Sequence, residues 1–318
     1  MPVSLLQKIK LGLRKSRRRQ PLVPARHDVR LLKHVQGRFW PGLRQFFYIR
    51  RILSRTELWL WRTALVSATV ALVWLGLGLV RAYQVEAPAV GGTYIEGVVG
   101  SPRLVNPLFA SLNEVDMDLS RLIYSGLMRY NQEQKLMPDL AASYEISEDK
   151  KTYTFALKKD VTWHDGKPFT ARDVLYTLDL IQEPAVGSPL LLSFQGVKVE
   201  IPDDYTVRFI LPEPFPAFLA SLTVGILPEH IWNSTPSEQI RLAKANLQPV
   251  GTGPFVWKSG TKNELGFIIR FQLERFSSYY RTAPYVGELI FEFFSEYEGV
   301  DGAINALRDQ KVSGLNFI

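Results

Sequence analysis

Residues 151–174 read KTYTFALKKDVTWHDGKPFTARDV, and they follow PDLAASYEISED at 138–149. Tyr153, Phe155 and Leu157 alternate with Thr154 and Ala156, the period of a strand with one buried face. Asp165-Gly166 is a tight-turn pair, because glycine takes up the backbone angles that such turns require. Thr170, with Asp173 three positions on, predicts a helix start by a shortened capping box. Val174, Leu175, Leu178 and Ile181 then fall on one helical face. The stretch therefore predicts strand, turn and capped helix in order.

Working outward, more strands are expected where apolar residues alternate: Tyr205, Val207, Phe209 and Leu211; Phe267, Ile269, Phe271 and Leu273; Leu289, Phe291 and Phe293. A second amphipathic helix is expected at Leu119, Leu122, Ile123 and Leu127. Turns fall at 202–204, 212–216 and 251–254, where Pro, Gly and Asp cluster. Strands and helices are mixed along the chain, which predicts an α+β or mixed α/β class.

Upstream the composition changes. Residues 63–80 carry no charge, and Leu58-Trp59-Leu60-Trp61 extends that run. About 20 apolar residues suffice to cross a hydrocarbon core as a helix, and Trp and Tyr suit the interfaces. Residues 1–57 hold 15 basic and 2 acidic residues, whereas 58–318 hold 23 basic and 29 acidic. Basic flanks stay cytoplasmic, so we expect a basic cytoplasmic tail (1–57), a transmembrane helix (58–80), a linker (81–92) and an extracytoplasmic body. A buried core helix, or a leader cleaved after Ala87-Pro88-Ala89, is the competing reading of the span. Arg14-Lys15-Ser16-Arg17-Arg18-Arg19 suits contact with anionic lipid, and no nucleic-acid-binding motif accompanies it. No nucleic-acid partner is expected.

Catalysis finds no support in the sequence. There is no cysteine, which removes disulfides, thiolate metal sites and thiol nucleophiles. His164 beside Asp165, and His230 beside Glu229, lack the spacing of helical metal ligands and read as structural histidines. No nucleophile elbow or P-loop is present, and Val256 stands where a dinucleotide loop starting at Gly251-Thr252-Gly253 needs a third glycine. We expect no enzyme, no cofactor and no metal.

The stretch 138–174 resembles the signature of the family 5 solute-binding proteins, the dipeptide and oligopeptide receptors of ABC importers. Val105-Asn106-Pro107, Leu122-Ile123-Tyr124-Ser125-Gly126-Leu127, 227–232 (LPEHIW) and 249–255 (PVGTGPF) resemble further landmarks of that family in the same order, from about Gly91 onward. The resemblance implies a periplasmic-binding-protein type II-like fold, two lobes closing about a hinge on an extended ligand. It implies a first lobe over 93–285 and the start of a second over 286–318, where the chain stops early. The acidic residue that holds a peptide amine in the family would lie beyond that point. The expected ligand is an oligopeptide or dipeptide and the expected partner an ABC permease, although relatives that take nickel complexes or sugars keep the ligand class open. A sensory or adaptor role, signalling through the basic tail, is the alternative.

The resemblance also nominates ligand-binding positions. Asn113, Glu114, Asp116 and Met117 align with a loop that faces the family's cleft, where carboxylates would meet a peptide amine or basic side chain. The other reading is that Glu114 and Asp116 only favour the helix N-terminus behind them. Gly251, Thr252 and Gly253 would offer backbone amides near the cleft or hinge, or form a structural turn.

Overall fold

The computed structural model describes residues 54–83 and 89–316. The expected cytoplasmic tail up to residue 53, with its arginine run, His27 and His34, lies outside the described residues. So do residues 84–88 of the expected linker, with Ala87-Pro88 of the cleavage-like sequence among them. The chain divides into two units, 1–86 and 87–318.

In the first unit, α1 (Arg55–Tyr83) is one continuous helix of 29 residues with no buried residue. At 1.5 Å per residue it is roughly 43 Å long, more than a hydrocarbon core requires. Ser54 caps it: its Oγ donates to Glu57 Oε2 at 2.7 Å, and its backbone amide donates to the same carboxylate at 2.8 Å. Among the described residues it is the one helix long and apolar enough to cross a membrane.

The second unit is built on two sheets. Strands β1 (Gly91–Val99), β2 (Met128–Tyr130), β3 (Leu136–Pro138), β4 (Ala141–Ile146), β5 (Thr152–Leu157), β6 (Lys198–Asp203) and β7 (Thr206–Ile210) come first. β8 (Phe255–Lys262), β9 (Ile268–Arg275), β10 (Val286–Phe294) and β11 (Gly314–Leu315) follow. One sheet has the order β11-β1-β10-β9-β8, the other β4-β5-β7-β6, and β2 and β3 form a small hairpin. β1 runs parallel to β10 and β11, whereas β9 runs antiparallel to both β8 and β10. β10 is the central strand of its sheet, so the segment expected to open a second lobe completes the sheet that β1 begins.

The alternation at 153–157 becomes β5, with Tyr153, Phe155 and Leu157 buried. It pairs with β7 so that Tyr153 faces Phe209 and Phe155 faces Val207. Phe209 and Phe218 close the cluster, with ring centroids 5.0 Å (Tyr153–Phe218) and 5.5 Å (Phe155–Phe209) apart, separations at which tilted aromatic pairs attract. Against this sheet packs α3 (Ala171–Gln182), whose buried side chains include Val174, Leu178 and Ile181. Its start follows the capping expectation: Thr170 N donates to Asp173 Oδ2 at 2.9 Å. Asp173 is buried and also accepts from Trp163 Nε1 at 3.4 Å and Glu229 N at 2.9 Å. Burial is the largest influence on its carboxyl and raises its pKa; these hydrogen bonds oppose that rise.

β9 departs from the simple alternation. Phe271 and Leu273 are buried as expected, but Phe267 and Ile269 are exposed and Ile268 is buried instead. Two register shifts on β8, at Trp257/Ser259 and Thr261/Lys262, accompany the change. Such irregularities re-aim side chains, and here they coincide with the switch of face.

Candidate functional site

Helix α2 (Glu114–Ile123) starts at the N-cap Asn113, whose Oδ1 accepts from Val115 N at 3.2 Å. The Asn113 side chain also donates from Nδ2 to Ser101 O at 3.2 Å, in the loop that leaves β1. Asp116 is 2% exposed. Its two oxygens accept from Arg103 N at 2.8 Å and Leu104 N at 3.0 Å, folding that loop back onto the helix. Burial raises its pKa and those amides oppose the rise. Glu114 is exposed and Met117 half-buried, so of the nominated carboxylates only Glu114 meets solvent. One turn on, Asp118 accepts from Asn316 Nδ2 at 3.1 Å, which ties α2 to the residue after β11. No local pattern marks that pair, since 198 positions separate its members.

Gly251, Thr252 and Gly253 are all buried. His164 clasps this loop from the turn after β5. Its Nδ1 accepts from Gly251 N at 3.1 Å, its backbone amide donates to Gly251 O at 2.9 Å, and its Nε2 lies 3.0 Å from Gly253 O. An acceptor Nδ1 requires the neutral ring protonated at Nε2, which donates to Gly253 O. Burial accordingly pulls the His164 pKa down to about 4. Gly253 N donates to Ile123 O at 2.8 Å, at the end of α2. A Cβ at Gly251 would lie 1.9 Å from Ile123 O, and one at Gly253 2.6 Å from Leu122 O. Both positions need glycine because backbone passes against backbone. The amides of both glycines are thus engaged within the protein, and the Thr252 hydroxyl is buried without a partner.

Beyond the nominated residues lies an open cleft of about 570 Å³, lined by Ser120 and Arg121 of α2, Tyr124 at its C-cap, Arg129 of β2, and Arg281. At its side sits Asp139, 5% exposed. It accepts from Tyr280 Oη at 2.9 Å and Arg281 Nη1 at 3.4 Å, with Arg129 Nε 3.6 Å away. Lys158 stacks on the Tyr280 ring at 4.9 Å, and burial is the main influence lowering its pKa. The Tyr124 hydroxyl and Arg129 Nε are buried with no hydrogen-bond partner. Burial also raises the Tyr124 pKa. Such unmet groups carry a desolvation cost. The cleft was not foreseen, because its residues come from four separate segments and Asp139 reads in the sequence as one letter of the signature.

Residues 135–311 match the family model of the bacterial extracellular solute-binding proteins, family 5 Middle. The chain belongs to this family. The dipeptide-binding protein of Escherichia coli is 33% identical over 245 residues, 68% of this chain and 43% of that protein. The Bacillus subtilis oligopeptide-binding protein AppA, solved in complex with a nonapeptide, superposes with a TM-score of 0.66 at 26% identity over 72% of this chain and 45% of that one. Campylobacter jejuni NikZ, solved with Ni(L-His), gives a TM-score of 0.61 at 30% identity over 69% of this chain and 42% of that one. The chain spans 33–43% of the length of the curated relatives it matches. The expected mixed α/β class and type II periplasmic-binding-protein fold hold for this family 5 chain.

Proposed function

We propose that this family 5 protein is the membrane-anchored, extracytoplasmic substrate-binding component of an ABC importer, and that its ligand is a peptide. The family match carries the reading, supported by relatives whose names specify dipeptide and nonapeptide ligands. The anchor is α1, oriented with the basic tail in the cytoplasm; its unburied apolar surface and the charge on the tail support this. We assign the ligand face to the start of α2. Glu114 and Met117 meet the ligand there, and Glu114 is free to pair with a peptide amine or basic side chain. Asn113 and Asp116 hold that face in position, a role supported by their engagement with neighbouring backbone, while Gly251-Thr252-Gly253 seats the far end of α2.

The ligand class is tested by purifying the protein from its source membrane under non-denaturing conditions and identifying co-purifying small molecules by mass spectrometry. Peptides released on denaturation are expected. A metal–amino-acid complex or a sugar in their place overturns the peptide assignment and leaves the solute-binding role standing.

A further inference from the structure

One surface of the second unit departs from its acidic character. The β8–β9 hairpin tip carries Leu265, 81% exposed, and Phe267, 60% exposed; Leu242, 84% exposed, stands beside them on the 3-10 segment Ser237–Leu242. Two concavities flank the tip; Leu242 lines the larger, Phe267 lines the smaller, and Leu265 lies outside both. One, of about 500 Å³, is lined by Leu242, Lys244, Trp257, Lys262 and Arg103. The other, of about 220 Å³, is lined by Gly266, Phe267 and Arg103. They share Arg103, Leu247 and Ile268. Arg103, Lys244 and Lys262 form no ion pair among the described residues. The Trp257 indole N–H is buried without an acceptor. Arg241 also lines the larger concavity but is tied to Gly187 O at 3.0 Å. Glu264 is the acid on the tip.

Three protruding apolar side chains ringed by unpaired cations are the chemistry of a surface that rests in a lipid headgroup region. Apolar tips enter the acyl boundary and cations meet phosphate. The geometry points to this patch as a docking surface for an anionic phospholipid bilayer, the one that holds the chain's own α1. The inference rests on the anchoring of α1 proposed above.

Charge complementarity selects this face. Residues 87–318 carry 28 acidic against 21 basic residues, so most of the unit is repelled by anionic lipid and this patch is attracted. Chain length permits it. Residues 84–90 separate α1 from β1 in sequence and reach roughly 25–30 Å when extended. β1 begins at the opposite end of its sheet from the hairpin tip, nine residues or about 30 Å away, a distance comparable with that reach.

Docking here has a consequence for the ligand face. Ser101 Oγ donates to Ile268 O at 3.1 Å, while Ser101 O accepts from Asn113 Nδ2 and Arg103 N donates to Asp116. The loop 101–104 thus belongs both to the patch and to the support of the α2 start. A docked patch would hold the proposed ligand face close to the bilayer, where a membrane-embedded permease would receive it.

The absence of cysteine allows a clean test. The full chain is reconstituted in nanodiscs containing anionic phospholipid, with a single environment-sensitive fluorophore on Leu265→Cys or, as the control, on Leu192→Cys, an exposed residue outside the patch. A lipid-borne quencher should quench the probe at 265 and spare the probe at 192. Lys244→Glu with Lys262→Glu should lower the docked fraction by about fivefold or more, since each surface cation changes lipid binding by about that factor. An anchored chain whose probe at 265 stays in water, or equal quenching at both positions, overturns docking and leaves the anchor intact. A chain that alkaline carbonate strips from the membrane overturns the anchor, and docking with it.

Discussion

The signature at 151–174 and the cleft beside α2 handle polar groups in opposite ways. In the signature, His164 and Asp173 are taken up by the fold: the histidine holds the Gly251–Gly253 loop and the aspartate gathers three N–H donors. In the cleft, the Tyr124 hydroxyl and Arg129 Nε have no hydrogen-bond partner among the described residues, and two arginines, Arg129 and Arg281, stand beside the buried Asp139. Residues 151–174 thus commit both of these side chains to the fold rather than to a ligand. Recognisability here follows from structural constraint, and unmet polar groups remain where the constraint is looser.

The contrast can be broken most severely at Asp173. Asp173→Ala leaves Trp163 Nε1, Thr170 N and Glu229 N without their shared acceptor, and buried donors left unmet cost about 1–3 kcal/mol each. A loss of about 4 kcal/mol in unfolding free energy is expected, read by denaturant melts of the detergent-solubilised chain. A loss below about 1 kcal/mol would show that the signature is not fastened through this carboxylate.

His164 should give the next largest effect, through pH. Its folded pKa is depressed to about 4 from an ordinary 6.5. The unfolded chain therefore binds the extra proton first as pH falls, and stability contributed by the neutral ring is full above about 6.5 and drains away down to about 4. The change is about 3 kcal/mol across that window. His164→Gln should flatten the difference between melts at pH 7 and pH 4.5, and an unchanged pH profile would contradict the buried neutral tautomer.

Gly251→Ala tests the backbone contact behind the same loop. A Cβ so close to Ile123 O forces a shift, with about 2 kcal/mol of destabilisation expected from overpacking. Thermal melts read it, and a stability equal to that of the parent would mean that the α2 end yields freely.

Much of this was legible because burial imposes periodicity. Tyr153, Phe155 and Leu157 declare β5, and the run from Val174 to Ile181 declares α3, since each must turn one face to a shared core. Phe267 and Ile269 misled the same reasoning, as register shifts on β8 change the face that β9 presents. The cleft was hidden for a different reason. Tyr124, Arg129, Asp139 and Arg281 meet only through tertiary packing, and no local pattern links them. Asn113 to Met117 were singled out by resemblance, but the division between exposed Glu114 and buried Asp116 depends on where the loop 101–104 lies.

The smallest expected effect sharpens the comparison from the cleft side. Tyr124→Phe removes a hydroxyl that bonds to nothing, so stability should stay within about 0.5 kcal/mol or rise slightly. A marked loss would reveal a bond for that group in the working protein.

The central claim is that ligand recognition belongs to the start of α2 while the signature serves the fold. Its most direct test is calorimetric titration of one peptide into the protein expressed from its own gene, comparing the parent with Glu114→Gln and with Lys167→Ala, an exposed signature position. The account predicts affinity weakened about tenfold by Glu114→Gln, the worth of one charge-assisted contact, and unchanged by Lys167→Ala. Affinity lost at Lys167 and retained at Glu114 would contradict it.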